Sequence, residues 1–259
     1  MHPRLLWILA ALVTGGSVLS GAYAAKPEAT PAAIGKGRAI YERSCMLCHG
    51  DGGKGDGPAA FFLSSYFSPR PSDFTIGQYK FRSTPSGNPA TDQDLFRTIT
   101  NGVPGYMPSF EGLTEEDRWH VVLYLKIFEQ TAYPHPTVPL PLPLPTVPAS
   151  PESIERGRQI YLQFECHACH GPNARGEPAR SRVGGLKDSN GLPIRQTDLD
   201  LTTRYSFRNG HSAVDIYRTL MTGLNGTAMP SYANGFAGRE EDAWHLVNYL
   251  HSLARKPIP

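Results

Sequence analysis

The chain has 259 residues, 40% of them hydrophobic and 19% charged, with a formal net charge of +2. That balance excludes a disordered or wholly membrane-embedded chain and gives no sign of nucleic-acid binding, which calls for a strongly basic face. The length admits one large domain or two small ones, and the abundance of Gly (26) and Pro (24) predicts much loop.

Residues 1–24 read as a secretory signal peptide, not as part of the fold. Arg4 opens a basic segment, Leu5 to Val13 is apolar, Gly15 to Ser17 break the run, and Ala22-Tyr23-Ala24 supplies a cleavage site. The apolar run is shorter than the roughly 20 residues of a spanning helix. The expectation is therefore an exported, periplasmic chain cleaved near Ala24, with membrane contact only through partners.

Apolar residues at helical spacing predict a helix over 34–44, ended by Cys45-Met46-Leu47-Cys48-His49. A second helix is expected over 92–101, with Asp92 as its N-cap and Gly102 as its stop. A glycine-bearing loop then leads to Met107-Pro108. Thr114 caps a third helix whose first turn is acidic, with Asp117 in the place of the usual Glu of a capping box. No alternating run is long enough for a sheet.

Between 134 and 151 proline recurs at almost every second or third position. Such a stretch favours extended polyproline II and acts as a semi-rigid spacer, although it could also fold back across a domain surface.

The elements before this stretch return after it in the same order. Ile34 to Tyr41 returns as Ile154 to Tyr161, and Cys45 to Gly50 as Cys166 to Gly171. Tyr79-Lys80-Phe81-Arg82 returns as Tyr205-Ser206-Phe207-Arg208, and Asp94 to Thr98 as Asp215 to Thr219. Met107-Pro108-Ser109 returns as Met229-Pro230-Ser231, and Trp119 to Leu125 as Trp244 to Leu250. The expected organisation is an all-α chain of two tandem domains, 32–132 and 152–255, joined by a proline-rich linker over 133–151.

Four cysteines in an exported chain would ordinarily suggest disulfides. Here all four lie in two Cys-x-x-Cys-His motifs, each followed at nearly the same distance by Met-Pro. A structural zinc site needs four ligands gathered from paired clusters, and these pairs lie on either side of the proline stretch. A thioredoxin-type redox pair needs a βαβ setting and leaves His49 and His170 unexplained.

In these motifs the sequence resembles the class I cytochrome c family, over about 34–128 and again over about 154–253. The resemblance implies two covalently bound haem c groups per chain. Cys45 and Cys48 would attach one and Cys166 and Cys169 the other, since cysteines three apart lie on one face of a helical turn. His49 and His170 would be the proximal iron ligands, and Met107 and Met229 the axial methionines.

Methionine with histidine raises the reduction potential and closes the iron on both faces, which implies one-electron transfer and no catalytic residue. A respiratory carrier, or the cytochrome subunit of a dehydrogenase or reductase, follows. Its partners would be redox proteins such as a membrane quinol-oxidising complex, a reductase, an oxidase or a dehydrogenase. The alternatives are a dihaem peroxidase-type enzyme, which needs one open or switchable haem, and a redox or gas sensor pair.

Further expectations concern the surroundings. Family resemblance suggests a proline carbonyl, Pro58 or Pro178, as acceptor for each proximal histidine. Arg82 and Arg208 are candidates to pair with haem propionates, and otherwise read as exposed. Gly37 with Tyr124, and Gly157 with Tyr249, fit a close crossing of the first and last helices. Trp119 and Trp244 read as core. His211 is the one loop histidine placed to substitute for Met229.

Overall fold

The computed structural model describes residues 25–64, 68–77, 79–130, 137–176 and 185–254. The expected signal peptide, Pro134, Pro136 and Pro178 lie outside the described residues. Those residues form helices joined by loops, with only isolated β-bridges among them. None of their helices is long and apolar enough to cross a membrane.

The first half contains α1 (Pro31–Ser44), α2 (Met46–His49), α3 (Pro58–Ser64), α4 (Asp92–Asn101) and α5 (Glu115–Leu125). The second contains α6 (Pro151–Gln163), α7 (His167–His170), α8 (Ala213–Thr222), α9 (Ala233–Phe236) and α10 (Glu240–Leu253). Short 3-10 turns cover Gln196–Leu199 and Arg204–Ser206.

Local chemistry sets the helix ends. Thr30 and Ser150 cap α1 and α6, each with proline just inside the start, where a missing N–H costs nothing. The cap of α4 is Thr91, not Asp92. Thr91 and Asp94 form a reciprocal capping box, and Ser212 with Asp215 repeats it at α8. Thr114 accepts from the Asp117 amide and caps α5 as its sequence indicates. α10 has the same acidic first turn but no side-chain cap at Arg239.

Each half closes by crossing its first and last helices, α1 on α5 and α6 on α10. Glycine makes the crossing possible. A Cβ on Gly37 would lie 2.0 Å from the His120 carbonyl oxygen, and one on Gly157 would lie 2.0 Å from that of His245. Beside each crossing two tyrosines pack together, Tyr41 with Tyr124 and Tyr161 with Tyr249. Trp119 stacks on Phe96 and Trp244 on Tyr217, each with ring centroids 4.3 Å apart, so both tryptophans are core residues.

Two separate cores result, one between Ile40 and Leu125 and one between Ile160 and Leu250. The described part of the proline-rich segment does not stand off as a spacer. Leu140, Leu142 and Val147 pack on the second core, the Leu140 amide donates to the Ser83 carbonyl, and Asn248 donates to the Val147 carbonyl. Its alternating Leu and Val side chains are what let it lie down on an apolar surface.

The halves also dock directly. Arg97 donates to Asn209 at 2.9 Å and sits 3.5 Å from Asp215, and the Ser68 amide donates to the Pro193 carbonyl. Docking is a property the sequence left open.

Candidate functional site

Each half encloses an apolar cavity, of about 200 Å³ in the first and 210 Å³ in the second. Cys45, Cys48, His49 and Met107 line the first; Cys166, Cys169, His170 and Met229 line the second. The structure thus brings together every residue that the motifs singled out, four to a cavity. The four cysteines do not converge, and among the described residues no cluster of three or more His, Cys, Asp or Glu could hold a metal ion. That geometry removes the zinc reading.

The cysteines are not paired as disulfides. Burial, then the neighbouring thiol, pushes Cys45 up to about 11, and burial does the same for Cys166. A thioredoxin-type pair needs the opposite shift, toward a thiolate at neutral pH. Cys45 and Cys166 line apolar chambers and are not poised as thiolates.

Burial also lowers both histidines, favouring the neutral ring. His170 Nδ1 lies 2.8 Å from the Leu199 carbonyl and His49 Nδ1 lies 3.4 Å from the Ser72 carbonyl. A carbonyl only accepts, so Nδ1 carries the proton and Nε2 keeps the lone pair a metal needs. The acceptors are Ser72 and Leu199, and for His49 this is not Pro58. Pro58 opens α3, where the first carbonyls serve the amides four residues on, while the His170 Nδ1 proton already has Leu199.

What holds these acceptors is a repeat not singled out above, Asp73-Phe74-Thr75 and Asp200-Leu201-Thr202. Asp73 Oδ1 accepts from the Thr75 amide and hydroxyl at 2.8 and 2.6 Å; Asp200 Oδ1 accepts from Thr202 at 2.7 and 2.6 Å. The Phe74 amide donates to Gly53 and the Leu201 amide to Ala174, tying each turn to the loop after its histidine. Tyr41 and Tyr161 add a further lock, each hydroxyl donating to the carbonyl after the histidine, Gly50 at 2.6 Å and Gly171 at 2.7 Å. The signal for both devices was their recurrence in phase with Cys-x-x-Cys-His.

The methionine loops are equally built. Gly102 and Gly223 end α4 and α8 at positive φ, 67° and 65°, and pack so tightly on the Met-Pro segment that a Cβ would lie within 2.6 Å of Pro108 or Pro230 backbone. Ser109 Oγ and Ser231 Oγ then reach back to the Thr100 and Met221 carbonyls. Met221 itself is buried in the second core and Met46 packs on the first. His211 is exposed and lines neither cavity.

The cavities share a wall. Pro69, Lys80, Phe81, Tyr106 and Arg208 line both. Burial lowers the Lys80 ammonium, opposed by Asp188, and the Nε of Arg208 is a buried donor without a partner. An apolar chamber with a cationic wall and an unanswered donor suits a flat apolar ligand that carries acidic groups. A haem fits that description. Arg82, the repeat counterpart of Arg208, lines neither cavity and is fully buried. It is neither exposed nor at a cavity wall.

Known proteins agree with this geometry. Residues 32–125 match the family model described as cytochrome c oxidase, cbb3-type, subunit III, and residues 154–254 match the cytochrome c model. A solved chain titled as part of the Kuenenia stuttgartiensis reducing HAO-like protein complex is 38% identical. It superposes with a TM-score of 0.76 over 85% of this chain and 96% of its own. This chain belongs to the cytochrome c family. A search of curated proteins returned no match. As two cytochrome c domains in tandem, the all-α chain is an electron-transfer haem protein.

Proposed function

We propose that the chain is an exported dihaem c-type cytochrome that passes single electrons between redox proteins. In this reading its domains run over 32–132 and 152–255. The observation that carries the proposal is the assembly of two cysteines, a histidine and a methionine around each of two apolar cavities.

Cys45 and Cys48 hold one haem through thioethers, and Cys166 and Cys169 the other. His49 and His170 give Nε2 to iron while Ser72 and Leu199 keep the rings oriented. Met107 and Met229 supply the sixth ligand from loops pinned by glycine and serine. Bound haem supplies a one-electron Fe(III)/Fe(II) couple. The protein excludes water and keeps both ligands in place, which limits reorganisation. The placement of a methionine in each cavity, with His211 outside, supports electron transfer over a peroxidase-type open iron.

The solved relative belongs to a complex, which supports a role as the electron-carrying subunit docked on a multi-subunit redox enzyme. Residues 1–24 support export to the periplasm. Mass spectrometry and a potentiometric titration of the purified protein test the reading together. The expected result is two covalent haems per chain, each with a methionine-to-iron charge-transfer band when oxidised. Absence of covalent haem, or an iron that reacts rapidly with peroxide, would overturn it.

A further inference from the structure

Arg82 and Arg208 occupy the same place in the repeat, yet neither guanidinium is spent within its own domain alone. Arg82 Nη2 donates at 2.7 Å to the carbonyl of Thr222, the last residue of α8 and the one before the Met229 loop begins at Gly223. A cation there also meets the negative end of the helix. Arg208 Nη1 donates to the carbonyl of Pro104, inside the loop between Gly102 and Met107. Each arginine is fixed at its base by its own domain: Arg82 donates to Pro85 and Lys80 carbonyls, Arg208 to the Tyr205 carbonyl and to Asp198.

We propose that Arg82 and Arg208 are positioning residues in trans, each holding the methionine loop of the other domain. The donors stand at equivalent repeat positions and each crosses to the other domain beside its methionine loop, at the residue before Gly223 in one case and two residues after Gly102 in the other. The consequence is that sulfur ligation at one haem depends on a residue folded around the other. Separation of the domains would loosen both methionines at once. This inference rests on Met107 and Met229 being iron ligands.

The test is competition between methionine and imidazole in the full-length holoprotein. Methyl-labelled methionine reports each ligated sulfur by its ring-current-shifted resonance in the reduced protein, and Met107→Leu and Met229→Leu assign the two signals. A hydrogen bond from a charged group is stronger than one between neutral groups. Its loss should therefore let imidazole displace the affected methionine at roughly tenfold lower concentration.

Arg208→Leu should weaken Met107 more than Met229, although Arg208 lines both cavities, and Arg82→Leu should weaken Met229 more than Met107. Arg208→Lys and Arg82→Lys, which keep a donor, should restore part of the difference, and they serve if the buried Arg82→Leu chain folds poorly. A larger effect on the methionine of the same domain, or an effect on neither, overturns the clasp. A wild-type protein without shifted methionine methyls overturns the ligand assignment itself, a different outcome.

Discussion

The Met107 loop leans heavily on the second domain. Tyr106 donates its hydroxyl to Asp198 at 2.6 Å, Arg208 stands 4.7 Å over the Tyr106 ring, and the same guanidinium reaches the Pro104 carbonyl. The Met229 loop meets the first domain more lightly, through Arg82 on Thr222 and the Gly87 amide on Asn225 at 3.3 Å. On the histidine side the order reverses: His170 has the shorter bond to its carbonyl, whereas His49 has a long bond and Phe74 stacked on it at 4.6 Å. Domains with the same fold thus invest in opposite sides of the site. A repeat copies the frame, and the interface then tunes each copy separately.

That comparison breaks most visibly if a cofactor is removed. Replacing both cysteines of one motif by alanine, Cys45 with Cys48 or Cys166 with Cys169, should halve covalent haem per chain by mass and absorbance. The domain that keeps its cysteines should keep its own haem. Loss of both haems from either variant would show that the domains load as one unit.

The helix crossing should respond alike in both halves. Gly37→Ala and Gly157→Ala each press a methyl into backbone that cannot yield, and each should lower unfolding free energy by about 3 kcal/mol in chemical denaturation. Unequal losses would mean that one crossing relaxes where the other does not.

Reduction potentials sharpen the comparison further. A stronger hydrogen bond at Nδ1 makes the ring a better donor and favours Fe(III). The second haem should therefore have the lower potential in a titration assigned with Met107→Leu and Met229→Leu, and the reverse order would place the control elsewhere. The smallest effect is expected at the last helices. Thr114→Ala removes a side-chain cap that α10 lacks, and should cost about 1 kcal/mol by denaturant titration.

Much of this site was legible in the residues themselves. Cys-x-x-Cys-His, Met-Pro-Ser and the paired glycines act through local geometry, so their spacing carries their meaning. The helix over Glu240–Leu253 and the Thr114 cap follow from neighbours within a turn or two. The Asp-x-Thr turns were equally visible as a recurrence, and the Thr91 and Ser212 capping boxes needed only attention to the position before Asp92 and Ala213.

Other parts could be decided only by the folded chain. The acceptors for His49, His170, Arg82 and Arg208 are carbonyls of Ser72, Leu199, Thr222 and Pro104. Every residue has a carbonyl, so no side-chain pattern marks which one is used. The sequence by itself determined two domains, their helices and the four residues grouped around each cavity, because those depend on short-range spacing repeated twice. Docking of the domains, the wall their cavities share and the crossing of the arginines came from tertiary structure alone, because they join backbone and side chains more than a hundred residues apart.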